Sequence, residues 1–515
     1  MLAKCYSGTV VGANAMTIEI EVSSGLGTSQ FAIVGLPDQA VKEAKDRIPT
    51  ALRSQGLRPN RELDVTVNLA PADVKKEGPI YDLPIALALL KATGRVNVAS
   101  LEEFAAVGEL SLSGEIRSVR GVLPVVMEMR RIGRRAVLVP YENGLEASVV
   151  KGIDVIPVRT LQEAVCFLNG ERKIDPLVTD MEKILAEDHT EGDDFSEVKG
   201  QFFARKAVEV AVAGGHNLLM IGSPGSGKSM IARRIPSILP ALSPEESLEV
   251  SKIHSVAGIG KGFKSFLTRR PFRSPHHTVS AIGLLGGGAH AVPGEVSLAH
   301  NGVLFLDEFA EFPRSALEVL RQPMEDGEVN VSRAVASVTY PSKFMLVAAM
   351  NPCPCGWWGD EHHACRCSSR AIVNYQSRVS GPLLDRIDIQ IEVPAVNSKD
   401  IPMLPKGESS AAIRERVMAA RAVQAERYRD FPNIRTNSEV RSTLLDDVCK
   451  FTMKDKRDLV GMIERLNLSA RAYDKVLRVA RTLADLAGVD AVRPIDLQGA
   501  LSYRRLDDEE KSFWL

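Results

Sequence analysis

Nothing in the sequence approaches the ~18–20 consecutive apolar residues of a membrane-spanning helix, so no membrane partner is expected. The first residues, Met1-Leu-Ala-Lys-Cys-Tyr-Ser-Gly8, carry no apolar signal region, and the cytoplasm is the expected location. An excess of one charge is missing too. Sixty-four Lys and Arg against 65 Asp and Glu leave a net charge of −1, which excludes a polybasic nucleic-acid binder. Any contact with nucleic acid must come from local patches or from assembly. Cysteine is scarce and odd in number, seven in 515 residues, so a disulfide framework is not expected. A tight cysteine cluster in such a chain is a metal-binding pattern. Internal repeats and low-complexity segments are absent.

What is present is the composition of a globular protein, 45% hydrophobic and 25% charged, long enough for about three or four domains. Residues 1–170 mix alternating segments, Thr17–Val22 and Leu63–Asn68, with helical ones, Leu83–Leu90 and Val122–Arg131. Residues 171–194 have the composition of an acidic linker, with Glu182, Glu187, Asp188, Glu191, Asp193 and Asp194. Over 195–397 strands and helices alternate, which predicts a mostly parallel α/β sheet. Over 398–515 the pattern is helical, with spans at Ile413–Arg429, Lys454–Arg465 and Ala470–Ala487, and reads as a helical lid.

The central signal is Gly222-Ser223-Pro224-Gly225-Ser226-Gly227-Lys228-Ser229, which matches G-x-x-x-x-G-K-[ST] at every fixed position. It follows the apolar run Asn217–Ile221 and precedes a helical stretch, Met230–Ile235. Glycines let backbone N–H groups turn onto phosphates, and the helix N-terminus adds positive dipole. Lys228 is expected to reach the β- and γ-phosphates of ATP, and Ser229 to sit on Mg²⁺. Val303–Leu306 is an apolar run ending in Asp307 and Glu308, 79 residues beyond Lys228. Asp307 suits the Mg²⁺ shell and Glu308 the attacking water. A further apolar run, Phe344–Met350, ends at Asn351, a polar tip within reach of a γ-phosphate. Arg386, in Leu383-Leu-Asp-Arg386, and Arg471, in Ser469-Ala-Arg471, each offer a planar cation for developing phosphate charge or a structural ion pair.

Together these strings resemble an AAA+ ATPase, most closely the magnesium-chelatase-like branch and, within it, the competence protein ComM (YifB) family. The specific residues are Arg270-Pro-Phe-Arg-Ser-Pro-His-His-Thr278, Pro293 to Glu308, and Asn351-Pro-Cys-Pro-Cys-Gly356, with Ile33–Asp38 and Val67–Asp73 near the start. The resemblance implies Asn351 as sensor 1, Arg386 as the arginine finger reaching a neighbouring subunit, and Arg471 as sensor 2. Arg378 is a rival for the finger. A finger acting in trans implies a ring of identical subunits, usually a hexamer. The implied activity is an ATP-driven DNA motor, a helicase or branch-migration factor on single-stranded or branched DNA during natural transformation. A magnesium-chelatase-type motor subunit and a protein-remodelling ATPase are the alternatives.

Two insertions are candidates for DNA contact. Ser255–Pro293 carries Lys261, Lys264, Arg269, Arg270, Arg273, His276 and His277, then Gly286–Gly288; Glu325–Arg333 has a strand-turn-strand pattern. Positive charge with glycine freedom suits sequence-independent backbone contact, while solvated surface loops are the plainer reading. Arg270, Arg273 and Arg333 are the expected contacts. Cys353, Cys355, Cys365 and Cys367 place four thiolates within fifteen positions, which suits one structural Zn²⁺, and His362 or His363 is able to replace one of them.

Residues 1–170 resemble the Lon-protease-like, ribosomal-S5-like α+β fold. Lys75-Lys-Glu-Gly-Pro79 is similar to the segment before the Lon serine, and Gly108–Gly121 to the one before the Lon lysine. Ile80-Tyr81 and Val122-Leu-Pro124 follow instead, so neither nucleophile nor amine base is present and a non-proteolytic scaffold is expected.

Overall fold

The computed structural model describes residues 1–28, 30–57, 63–187, 193–259, 266–288, 291–332, 337–360, 362–395, 403–451, 457, 461 and 470–504. The N-terminal part is a seven-stranded mixed sheet. In spatial order its strands are Phe31–Val34, Leu63–Ala70, Asn14–Leu26, Leu2–Val11, Phe104–Ala106, Ala136–Pro140 and Asp154–Val158. Leu2–Val11 pairs antiparallel with Asn14–Leu26, and the strands from Phe104 onward join in parallel. Alternation does its expected work in Asn14–Leu26, where Ile18, Ile20 and Val22 are fully buried. The helix Asp82–Ala92 lies against this sheet and is apolar almost all round, so it is buried along nearly its whole length.

Among its described residues the segment read as a linker holds one short helix, Met181–Glu187, and ends in a tether: Asp194 accepts hydrogen bonds from the backbone N–H groups of Ser196 and Ser410. Beyond it lies a five-stranded parallel sheet. Its order is Phe272–Arg273, Val303–Leu306, Met345–Met350, Leu218–Ile221, Ile389–Glu392. The three inner strands are buried at every position, because elements cover both faces of a parallel sheet. The helices Ser410–Arg427 and Ala470–Leu486 pack on the helix Phe202–Gly214 of this unit. The expected helix Lys454–Arg465 lies outside the described residues, apart from isolated helical positions 457 and 461. No helix among the described residues is long and apolar enough to cross a membrane.

Two expectations about the insertions change. Phe272–Arg273 is the edge strand of the core sheet, so the first insertion is partly built into the core. In the second, Glu325 and Asp326 end the helix Arg321–Asp326, and the strand pair is Glu328–Ser332 with Ser337–Pro341. Gly327, at φ +68°, makes the turn between helix and strand, a conformation that costs a side-chain-bearing residue about 1 kcal/mol.

The N-terminal unit docks on the core through Val122–Arg131 and the helix Pro244–Ala257, where the Gly121 N–H donates to the Ser255 carbonyl at 3.0 Å. Ser243 and Glu246 cap that helix reciprocally, and Pro244 occupies its first turn.

Candidate active site

The phosphate loop leaves the C-terminal end of Leu218–Ile221 and enters the helix Lys228–Arg234. A Cβ on Gly222 would stand 2.2 Å from the Val393 carbonyl oxygen, so only glycine fits where the loop passes the neighbouring strand. Gly227 caps the helix at φ +93°. Lys228 is only 8% exposed. Its ammonium donates to the carbonyls of Gly222 at 2.6 Å and Ser223 at 3.0 Å, and lies 3.4 Å from Asn351 Oδ1. Burial draws its pKa down to about 8, against the opposing pull of the Asp307 carboxylate.

The neighbouring strands supply the remaining groups. Ser229 Oγ donates to Asp307 Oδ2 at 2.7 Å, so a hydroxyl and a carboxylate stand together as hard oxygen donors of the kind Mg²⁺ takes. Glu308 follows at φ +52°, a left-handed conformation in a residue other than glycine, and its carboxylate is more than half exposed. Such strain concentrates where a side chain must be aimed. His277 Nδ1 lies 2.9 Å from Glu308 Oε2, and the His276 and His277 rings are 4.1 Å apart. The sequence placed these histidines in the family-resembling string Arg270–Thr278 and in a charged insertion; no spacing rule links them to a carboxylate thirty-one positions later.

The arginines lie elsewhere. The Arg386 carbonyl accepts from Asn217 Nδ2 at 3.0 Å, at the start of the strand whose far end opens the phosphate loop. A four-residue strand spans about 13 Å, so Arg386 does not serve its own chain's loop. Its guanidinium pairs with Glu325 and lines a cleft of about 790 Å³ between core and lid, with Arg435, Arg441, Lys475 and Arg478. Arg378 is half exposed and pairs with Glu311 at 2.7 Å. Arg471 falls in the first turn of Ala470–Leu486, and its side chain lies outside the described residues.

Of the arginines expected on DNA, Arg270 turns inward. It binds Glu246 at 2.7 Å and donates to the carbonyls of Pro240 and Asn301 at 2.8 Å each, which makes it a strut between loops rather than a free cation. Arg273 is held in a two-pronged pair by Glu295, at 2.7 and 2.8 Å. Arg333, Lys261 and Lys264 lie outside the described residues.

The sulfur atoms of Cys353, Cys355, Cys365 and Cys367 all fall within 4.8 Å of one another. Three of the separations are 3.4, 3.6 and 3.7 Å, near the ~3.8 Å edge of a tetrahedron of thiolates around zinc. Backbone N–H groups of Arg366 and Trp357 pull the Cys355 thiol down to about 6. The Cys367 N–H works the same way on Cys365, yet burial and the neighbouring sulfurs push that thiol up to about 12. Four sulfurs this close are a set that could hold a metal ion between them. His363 is turned away, 3.1 Å from Asp360 and stacked on Trp357, so the cluster stands without it.

A parallel sheet with a phosphate loop at one strand end, an Asp-Glu pair at the next but one, a polar tip between them and a helical lid defines an AAA+ phosphate-loop protein. Comparison with known proteins narrows this. Residues 194–401 match the family model described as magnesium chelatase, subunit ChlI; residues 18–143 match subunit ChlI of Mg-chelatase, and 407–504 its C-terminal part. The chain is 40% identical to competence protein ComM of Haemophilus influenzae over 98% of both chains. It is 41% identical to uncharacterized protein YifB of Escherichia coli over 98% of this chain and 97% of that one. It is also 25% identical to Lon protease 2 of Bacillus subtilis over 30% of each chain. The chain belongs to the magnesium-chelatase-like AAA+ family that includes ComM and YifB.

Proposed function

We propose that this protein is an ATP-hydrolysing DNA motor that works as a ring, in the manner implied by its relatedness to a competence protein. The observation that carries the ATPase reading is the convergence of Lys228, Ser229, Asp307 and Asn351 from three strand ends on one loop. Lys228 and the loop amides bind the phosphates of ATP. Ser229 and Asp307 hold Mg²⁺, which when bound neutralises phosphate charge. Glu308 orients and polarises the attacking water, and Asn351 senses the γ-phosphate. Arg386, about a strand's length from its own loop, completes the site of a neighbouring subunit, and Arg471 acts from the lid. The ring is then six copies of this chain. The four cysteines hold Zn²⁺ in a structural role.

DNA passes two hairpins. One is Gly286–Gly287 with Val292–Pro293, beside the exposed Ile282; the other is Glu328–Ser332 with Ser337–Pro341, whose connection contains Arg333. With Arg270 committed to Glu246, Arg333 is the arginine to test. ATP hydrolysis measured with single-stranded, duplex and branched DNA is expected to rise several-fold with at least one of them. Arg333→Ala should lower the stimulated rate and leave the basal rate. No stimulation by any of the three would end the DNA reading and favour a metal-chelatase motor or a protein remodeller.

A further inference from the structure

The described residues of the loop from Cys353 to Cys367 form no helix or strand, yet the loop touches the phosphate loop at two points. It begins two residues past Asn351 with Cys353, which is fully buried. Its apex lies on the phosphate loop: a Cβ on Gly356, at φ +85°, would stand 2.6 Å from two carbons of the Pro224 ring. The Ser223 hydroxyl donates to Asp360, whose carboxylate also accepts from the backbone N–H groups of His362 and His363 at 2.9 Å. The chain leaves the loop through Cys367 directly into the helix Ser369–Gln376, which Ser368 caps. That helix returns to where the loop began. Gln376 Nε2 donates to the Pro352 carbonyl at 3.2 Å, and the Tyr375 hydroxyl meets the backbone of Asn351.

The cysteine loop is therefore a closed clasp around Asn351 and the Ser223-Pro224 side of the phosphate loop. Among its described residues the loop is held by two backbone turns, Gly356 N–H to the Cys353 carbonyl at 2.9 Å and Asp360 N–H to the Trp357 carbonyl at 3.2 Å, by the Asp360 carboxylate, and by the four clustered sulfurs, with no strand or helix ladder. A segment without a backbone ladder keeps one conformation only when cross-links remove the alternatives.

We propose that the metal-bound cysteine knot is a positioning site for ATP hydrolysis: with its four sulfurs bound to Zn²⁺ it fixes the Asn351 carboxamide over the phosphate loop. This rests on the reading above that the four thiolates hold zinc. Asn351 and the phosphate loop are what the knot acts through; the cysteines themselves touch no substrate.

The test uses the purified full-length protein with its metal content measured, then stripped by a thiol-displacing mercurial and chelator, and reloaded with Zn²⁺ alone. ATP binding is followed with a fluorescent analogue, and turnover is followed separately. The stripped protein is expected to bind ATP within a few-fold of the loaded protein while kcat falls about tenfold or more, and Zn²⁺ restores it. In Asn351→Ala, stripping should cause little further loss, because the group being positioned is already gone. A merely structural metal would lower binding, melting temperature and turnover together, and would act equally in Asn351→Ala. Absence of metal from the protein as purified overturns the zinc reading itself. Metal present, with kcat unchanged on stripping or with full additivity in Asn351→Ala, overturns the positioning role alone. Because the metal is removed and restored chemically, the result does not depend on whether a cysteine variant folds.

Discussion

Glu308 shows how much one residue's surroundings decide. Its backbone is left-handed, its carboxylate is exposed, and its partner is His277 from a distant segment. In the proposed hydrolysis this carboxylate polarises the attacking water, and the left-handed backbone is the feature that would aim it. Glu308→Gln keeps shape and hydrogen-bonding capacity but removes the base. ATP binding should persist, with kcat lower by about 10²–10³-fold. Equal loss of binding, read with a fluorescent ATP analogue, would show that Glu308 serves the fold of the loop. Arg270 gives the opposite lesson. Its sequence setting among basic residues suggested a surface contact, and only the fold brings Glu246 and two carbonyls to it.

Among the elements, the lid helix Ala470–Leu486 depends on a buried polar network. Asp485 is fully buried and accepts from Arg427 at 2.9 Å, Arg481 at 2.9 Å and Asn437 at 2.8 Å. One turn back, Thr482 meets His216 Nε2 at 2.8 Å, and the other ring nitrogen lies 3.2 Å from Asp388. Burial alone would raise the Asp388 pKa, but the His216 hydrogen bond and the charges of Lys475 and Arg478 hold it below the usual carboxylate value. The network wires lid to core at the strand start that also carries Arg386. Asp485→Ala leaves two arginines without their buried partner and should cost about 3–5 kcal/mol, read as a lower melting temperature and faster proteolysis of the lid. A shift within about 0.5 kcal/mol would mean that the arginines find water instead.

None of this wiring was legible beforehand. Asp485 and Arg481 are ordinary helix residues in sequence, and His216 is a single histidine after two glycines. Strands were easier, because a buried parallel strand must be continuously apolar: Val303–Leu306 and Met345–Met350 both fall within the runs expected for them.

At the scale of the whole molecule, one chain places the phosphate loop and Arg386 at opposite ends of the same strand. In the proposed ring, each interface would join the loop of one subunit to the arginine of the next. Lys228→Ala and Arg386→Ala subunits should each be inactive alone. Mixed in equal amounts they should recover about a quarter of wild-type ATPase, the share of random interfaces that pair an intact loop with an intact arginine. No recovery, with mixed rings verified by mass, would remove Arg386 from the role and turn attention to Arg378.

Sequence by itself determined the class of chemistry and the order of the parts. The phosphate loop, the Asp-Glu strand and the four-cysteine spacing are local patterns, each needing only neighbouring residues to form. The loss of serine and lysine from the Lon-like segments is equally local. Tertiary structure decided what depends on distance across the chain. It set His277 on Glu308, committed Arg270 to Glu246, and folded the cysteine loop back onto Pro224 and Asn351. Those contacts join residues from 24 to more than 100 positions apart. They follow from how the strands are ordered in the sheet, which no single stretch of sequence encodes.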